Sequence, residues 1–216
     1  MYDQPQQQTD TTGLQEAWKE DKLQLMPDEF YKQFTWQQLA AFGAEKGVYI
    51  FPTPGLIQFL GNFITRKHSL SETLEICAGN GQLGRSLGIK MTDSHLHTDR
   101  EWIEKNSNDQ TVIHYPDDVY PMEALDSVMT YLPNVIIGGY VPHLWKKGMK
   151  VGSLKGVNET HLFDYGARLY IHIGNHNVHA YKPLLKQWKN YRVLTSQSLF
   201  TVSPSQEKNC IYIFER

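Results

Sequence analysis

The stretch with the clearest capacity for chemistry is Glu75-Ile76-Cys77-Ala78-Gly79-Asn80-Gly81-Gln82-Leu83-Gly84. Small residues let a ligand approach the backbone, and glycine adopts angles that larger residues resist. The stretch leaves an apolar run and enters a helical one. Free N–H groups and the positive end of a helix dipole would then face a crevice at the carboxyl ends of the strands. A P-loop would need Gly-Lys followed by Ser or Thr, and this loop has no lysine. The spacing G-x-G-x-x-G overlays Gly79, Gly81 and Gly84. Two carboxylates narrow the choice of ligand. Glu75 precedes the loop, and Asp93 ends the next apolar run in Lys90-Met91-Thr92-Asp93-Ser94. A carboxylate there can accept hydrogen bonds from both ribose hydroxyls.

Strands and helices must alternate to hold such a loop. From residue 70 the pattern predicts strands at Thr73–Ala78, Ile89–Thr92, Thr111–Tyr115, Val135–Tyr140 and Arg168–Ile173. Helices are expected from Gly81 to Leu87, Arg100 to Asn106, Met122 to Leu132 and Ala180 to Lys189. Two closing strands, Tyr191–Val202 and Asn209–Phe214, read as an antiparallel hairpin turning at Ser203-Pro204-Ser205. Alternation of this kind predicts an α/β fold with a mostly parallel sheet covered on both faces. Residues 1–13 read as a flexible leader and 14–69 as an N-terminal helical extension. That extension holds a short helix within Leu14–Leu25, a longer one from Asp28 to Lys46, and a third from Gly55 to Lys67.

The loop and its acids resemble the first motif of class I S-adenosylmethionine-dependent methyltransferases, E/D-x-G-x-G-x-G, with Cys77 in place of the first glycine. Asp93 matches the family's ribose-binding acid. The resemblance implies a Rossmann-like class I methyltransferase fold over 70–216, a seven-stranded sheet closing in an antiparallel hairpin, and S-adenosyl-L-methionine as cofactor. Glu75, the backbone of Cys77, Ala78, Gly79, Asn80 and Gly81, and Asp93 with Ser94 would hold it. It also implies a third acid near the adenine, after the third strand, for which Asp117, Asp118 and Glu123 are candidates. Cys77 reads as a small buried residue rather than a nucleophile. A nicotinamide dinucleotide would also suit an acid at the second strand end. An NAD-dependent oxidoreductase and a catalytically silent scaffold therefore stay open beside the methyltransferase.

The acceptor is less legible. After the fourth strand the chain offers Gly139-Tyr140-Val141-Pro142-His143 where amino-methyltransferases of nucleic acid carry an Asn-Pro-Pro-Tyr type signature. The pattern is not met, so nucleic acid is neither supported nor excluded as the substrate. Tyr140 and His143 are placed to face a substrate pocket, with His143 or His176 as a general base where the acceptor needs one. The long loop from Leu144 to Gly166 carries four lysines beside aromatic residues and reads first as a solvated surface loop, with a lid or a contact for an anionic substrate, RNA included, as the functional alternatives. His172, His176 and His179 have ligand-like spacing, but Gly174-Asn175 breaks the helix that would align them, so no metal site is expected.

Bulk properties set outer limits. The chain has 216 residues, 40% hydrophobic, with a net charge of −2, the balance of a folded domain. No apolar run reaches the roughly 20 residues that span a bilayer. Two distant cysteines and a polar N-terminus without an apolar signal region point to a reducing, cytoplasmic setting.

Overall fold

The computed structural model describes residues 9–99, 101, 103 and 112–216. Its centre is a seven-stranded sheet built from β4 (Thr73–Glu75), β5 (Lys90–Asp93), β6 (Val119–Pro121), β7 (Val135–Gly139), β8 (Leu169–Asn175), β9 (Arg192–Thr195) and β11 (Asn209–Glu215). The strands lie in the order β6-β5-β4-β7-β8-β11-β9. Pairing is parallel from β6 through β8, and β11 runs antiparallel to both of its neighbours. The order reverses between β4 and β7, where open α/β sheets leave a crevice at the strands' carboxyl ends.

Side chains alternate across the strands, so each strand feeds both faces. Val135, Ile137, Ile171, Ile173, Ile211 and Ile213 join one core with Leu56, Leu60 and Ile64 of α3 (Pro54–Thr65) and Leu83 and Leu87 of α4 (Gln82–Leu87). Ile136, Tyr170, Tyr212 and Phe214 turn to the other face. There they meet Ala124 and Val128 of α5 (Ala124–Tyr131) and Leu184 of α7 (Pro183–Gln187). A third core joins Leu14, Leu23, Tyr31, Leu39, Phe42 and Phe51 with Phe200. The N-terminal segment up to Phe51 thus has its own packing, while α3 belongs to the sheet.

Several elements differ from the sequence pattern for identifiable reasons. The expected Leu14–Leu25 helix is a 3-10 turn, Thr12–Ala17, followed by a hairpin of β1 (Trp18–Lys19) and β2 (Lys22–Leu23). Glu20 and Asp21 make its turn with φ of 51° and 57°. The single Asp28–Lys46 helix is two helices, α1 (Asp28–Tyr31) and α2 (Trp36–Lys46). Thr35 caps α2 in a reciprocal box with Gln38, which restarts the helix. The closing hairpin is interrupted. The chain leaves the sheet after β9, and β10 (Phe200–Thr201) pairs instead with β3 (Ile50–Phe51). Val112–Tyr115 is not a strand, and the third strand is β6, four residues further on. The helix expected over Arg100–Asn106 lies outside the described residues apart from Glu101 and Ile103. Thr111 and the first eight residues of the leader lie outside them too. One helical turn, α6 (His176–His179), starts just after Gly174-Asn175, with the Asn175 side chain accepting from the Asn177 N–H. Among the described residues no helix is long and apolar enough to cross a membrane.

Candidate functional site

The glycine loop crosses from β4 to α4 with three residues in the left-handed region: Cys77 (φ 51°), Gly79 (φ 54°) and Gly81 (φ 79°). Five of its backbone donors are used inside the fold. The N–H of Ala78 donates to Thr92 O, Asn80 to Gly47 O, and Gly81 to Ala78 O. The Gly79 N–H donates to Asp93 Oδ2 at 2.9 Å, and the Gly84 N–H to Glu75 Oε2 at 2.8 Å. Glu75 is therefore the brace of the loop. Burial pushes its carboxyl up to about 8, against the pull of the Gly84 N–H. A Cβ at Gly84 would run into that carboxylate.

A second layer closes over the loop from the N-terminal segment. The Asn80 side chain accepts from the Leu23 N–H and donates to the Asp21 carbonyl, both at 2.9 Å. It staples the β1–β2 hairpin to the loop and is not free for a ligand. A Cβ on Gly79 would meet the Gly47 carbonyl. Gly79→Ala combines that overlap with a left-handed φ and is expected to cost about 3 kcal/mol. Denaturant titration checks this; a variant as stable as wild type would mean that Gly47 does not hold the loop.

Beside the loop is a cavity of about 320 Å³, a small-molecule size. It is lined by Cys77 and Gly79 of the loop, Asp93, Ser94, His97 and Tyr115, Met122 and Glu123, and Tyr49, Gly139, Tyr140, Pro142, Ser153 and Lys155. Asp93 also accepts from the His95 N–H through Oδ1 at 3.1 Å. The Tyr115 side chain hydrogen-bonds Asp93 as well. Tyr115 stacks on His95 with centroids 4.1 Å apart. Burial holds the Cys77 thiol well above its ordinary range, so it is protonated and no nucleophile. A smaller recess of about 20 Å³ next to the cavity is lined by Glu75, Ala78, Asn80 and Gly81.

The three candidate acids are placed differently. Asp118 precedes β6 and forms a two-point pair with Arg85, both contacts at 2.7 Å, with Lys22 further off. Arg85 holds its carboxyl below the usual range, and it does not line the cavity. Asp117 does not line it either. Glu123, two residues past β6 and the N-cap of α5, does.

The candidate bases are not brought to the cavity. His143 is buried and donates through Nε2 to the Val151 carbonyl at 2.9 Å. His176 is exposed and bonds the Tyr212 hydroxyl through Nδ1 at 3.1 Å. Tyr140 does line the cavity, in a left-handed conformation (φ 54°) that is unusual for a bulky residue. Its hydroxyl lies 2.8 Å from Thr201 Oγ1, which itself donates to Asn209 Oδ1, so Tyr140 is the donor. Burial raises its pKa. The loop after Pro142 is knit by Leu144 N–H to Val157 O, Ser153 N–H to His143 O and Trp145 N–H to Ser153 O. It forms a folded flap rather than a loose lid.

Behind Tyr140 lies a buried polar chain that the sequence did not signal. Lys182 Nζ donates to the Val141 carbonyl at 2.6 Å and to Glu159 Oε2 at 2.5 Å. Tyr170 donates its only hydroxyl hydrogen to Glu159 Oε1 at 2.7 Å, so His172 Nδ1, 3.3 Å away, must be the donor to Tyr170. His172 then packs edge-on against His179 at 4.6 Å, and His179 against the Tyr140 ring at 4.9 Å. Among the described residues no three such groups are arranged to hold a metal.

No protein-family model matches the chain, and no curated protein sequence matches it.

Proposed function

We propose that the chain is an S-adenosylmethionine-dependent methyltransferase of the class I, Rossmann-like kind, working in the cytoplasm. The observation that carries this reading is the direction of the loop's donors. Gly79, Asn80, Gly81 and Gly84 spend their N–H groups on Asp93, Gly47, Ala78 and Glu75. A pyrophosphate would need those donors and would face Asp93 and Glu123 across the cavity. A ligand without phosphate, carrying a ribose diol and a positive sulfur, suits the same wall. This weighs against the dinucleotide. The sheet, with its closing strand reversed, matches what the resemblance implies. Both cysteines are free thiols, in keeping with a reducing compartment.

In this reading Asp93 accepts from the ribose hydroxyls and Glu123 lies toward the adenine. The glycine-loop side of the cavity, with Cys77 and Gly79, takes the methionine half. When bound, the cofactor supplies a methyl carbon made electrophilic by its sulfonium. Tyr49, Tyr140 and Pro142 shape the acceptor end and exclude water, so the protein's part is alignment. With His143 and His176 turned elsewhere and Tyr140 donating to Thr201, the imidazole that lines the cavity among the described residues is His97, which burial holds below its ordinary pKa, so an acceptor that needs a base would have to turn to it.

Calorimetry with S-adenosylmethionine and S-adenosylhomocysteine tests this. Micromolar binding, about −8 kcal/mol, is expected, with none for NAD. Asp93→Ala should weaken it at least about tenfold by removing a charge-assisted pair of bonds. Absence of binding to both sulfur ligands would overturn the reading, and binding of NAD alone would replace it with an oxidoreductase.

A further inference from the structure

The charge of this chain is divided very unevenly along it. Between Ser127 and Gln206 there are nine lysines and arginines but only two carboxylates, Glu159 and Asp164. Glu159 is buried on Lys182 and presents nothing to solvent. Lys182, its partner, is buried too, so the near-neutral total conceals a stretch with eight lysines and arginines against Asp164 outside that pair. Its densest part is the flap beside the cavity. Lys146, Lys147, Lys150 and Lys155 all lie between Tyr140 and Val157, a segment without a carboxylate. Lys155 reaches the cavity wall. Lys146 borders Pro183 and Leu184, and Lys150 lies over the Tyr181 ring at 5.8 Å, so the flap is continuous with the start of α7.

Flat side chains are interleaved with these cations. Trp145 is 38% exposed and Tyr181 52%. The cavity that Lys155 helps to line also holds Tyr49 and Tyr140, whose rings are near-parallel and 6.4 Å apart. A single anionic group would need only Lys155. Four cations spread over ten residues suit an extended polyanion, and the aromatic groups suit stacking.

We infer that the flap and Tyr181 bind single-stranded nucleic acid and that a base of that strand enters the acceptor end of the cavity. The first half stands on the surface alone; the second rests on the methyltransferase reading. An unpaired strand is favoured because its bases reach an enclosed cavity without the cost of extrusion from a duplex. The charge complementarity is with the phosphates, and Trp145 and Tyr181 supply sequence-tolerant platforms.

The test is fluorescence anisotropy with dye-labelled single strands of about 20 nucleotides at low ionic strength. Binding that weakens as salt rises is expected, with a slope of about 0.7 per phosphate contact. The triple variant Lys146→Glu, Lys147→Glu, Lys150→Glu should lose at least about tenfold in affinity and flatten that slope. Trp145→Ala and Tyr181→Ala should each lose about fivefold or more. Circular dichroism confirms that the variants remain folded, and Lys→Gln versions replace any that do not. Three results would overturn the inference: no binding, equal binding of duplex, or binding of anionic phosphatidylserine vesicles that matches the strand and ignores Trp145→Ala. Calorimetry with S-adenosylhomocysteine on the same preparation separates the two readings. Cofactor binding without strand binding sinks this inference alone, and strand binding without cofactor binding sinks the enzyme reading and with it the entry of a base, leaving the surface half standing.

Discussion

Lys182→Met is expected to destabilise the protein by about 3–5 kcal/mol, one of the largest single-residue effects the structure predicts. Lys182 and Glu159 are 1% and 3% exposed, and their contact is one arm of a buried chain. Burial lowers the ammonium pKa, and the Glu159 carboxylate opposes that shift. Removing the cation leaves the buried Glu159 carboxyl without its ionic partner, beside the Tyr170 hydroxyl. Glu159→Gln should cost a similar amount by stranding the ammonium. Replacing both, Lys182→Met with Glu159→Leu, removes two buried charges together and should recover a large part of the loss. Denaturant midpoints of the singles and the double measure the coupling. Single effects under 1 kcal/mol would show that the pair is not enclosed as described.

The same lysine has a second use that the double variant isolates. Its bond to the Val141 carbonyl tethers the turn in which Tyr140 is held at a positive φ. In the double variant stability returns but the tether does not. Cofactor affinity should therefore stay weakened where stability has recovered. A double variant that binds S-adenosylhomocysteine like wild type would assign Lys182 to stability alone.

How much of this was legible depends on whether the signal was local. The glycine loop could be read because turn, small residues and flanking strands are consecutive. Asp93 could be read because it ends a short apolar run. Val112-Ile113-His114-Tyr115 alternates like a strand, yet Ile113 and Tyr115 bury themselves against Gly47 and His95 instead. The strand is the less obvious Val119-Tyr120-Pro121, and of the candidates Asp117, Asp118 and Glu123 it is Glu123, just past that strand, that lines the cavity. Tyr49 and Lys155 reach the cavity from positions far from the loop in sequence, so no spacing could announce them. Lys182 reads as an ordinary helix-start lysine until the fold encloses it. The charge asymmetry was present in the sequence throughout, but a net charge of −2 hides it.

Stability should peak near pH 6.5 and fall on both sides, for two separate reasons. On the acid side the groups are histidines. Burial drives His179 down to about 3 and His172 well below its ordinary 6.5, with Lys182 reinforcing both. The unfolded chain takes up both protons as pH drops through 6.5, and the folded chain refuses them, so stability is lost. On the alkaline side the group is Glu75. Its folded pKa of about 8 lies above the ordinary 4.5, so the folded state keeps a proton that the unfolded state has released. That contribution is complete below pH 4.5 and disappears as pH rises through 8. Burial lowers His97 as well, so between pH 4.5 and 6.5 the histidine protons outweigh one carboxyl proton, and stability rises with pH. Above 6.5 Glu75 dominates and stability declines, by on the order of 1 kcal/mol up to pH 8. Glu75→Gln keeps an acceptor for the Gly84 N–H and should remove the alkaline decline. His179→Asn should soften the acid arm and leave the alkaline one. Chemical denaturation across pH 5 to 9 reads both arms. An alkaline decline that survives Glu75→Gln would show that another group sets it and that the buried carboxyl already ionises at lower pH.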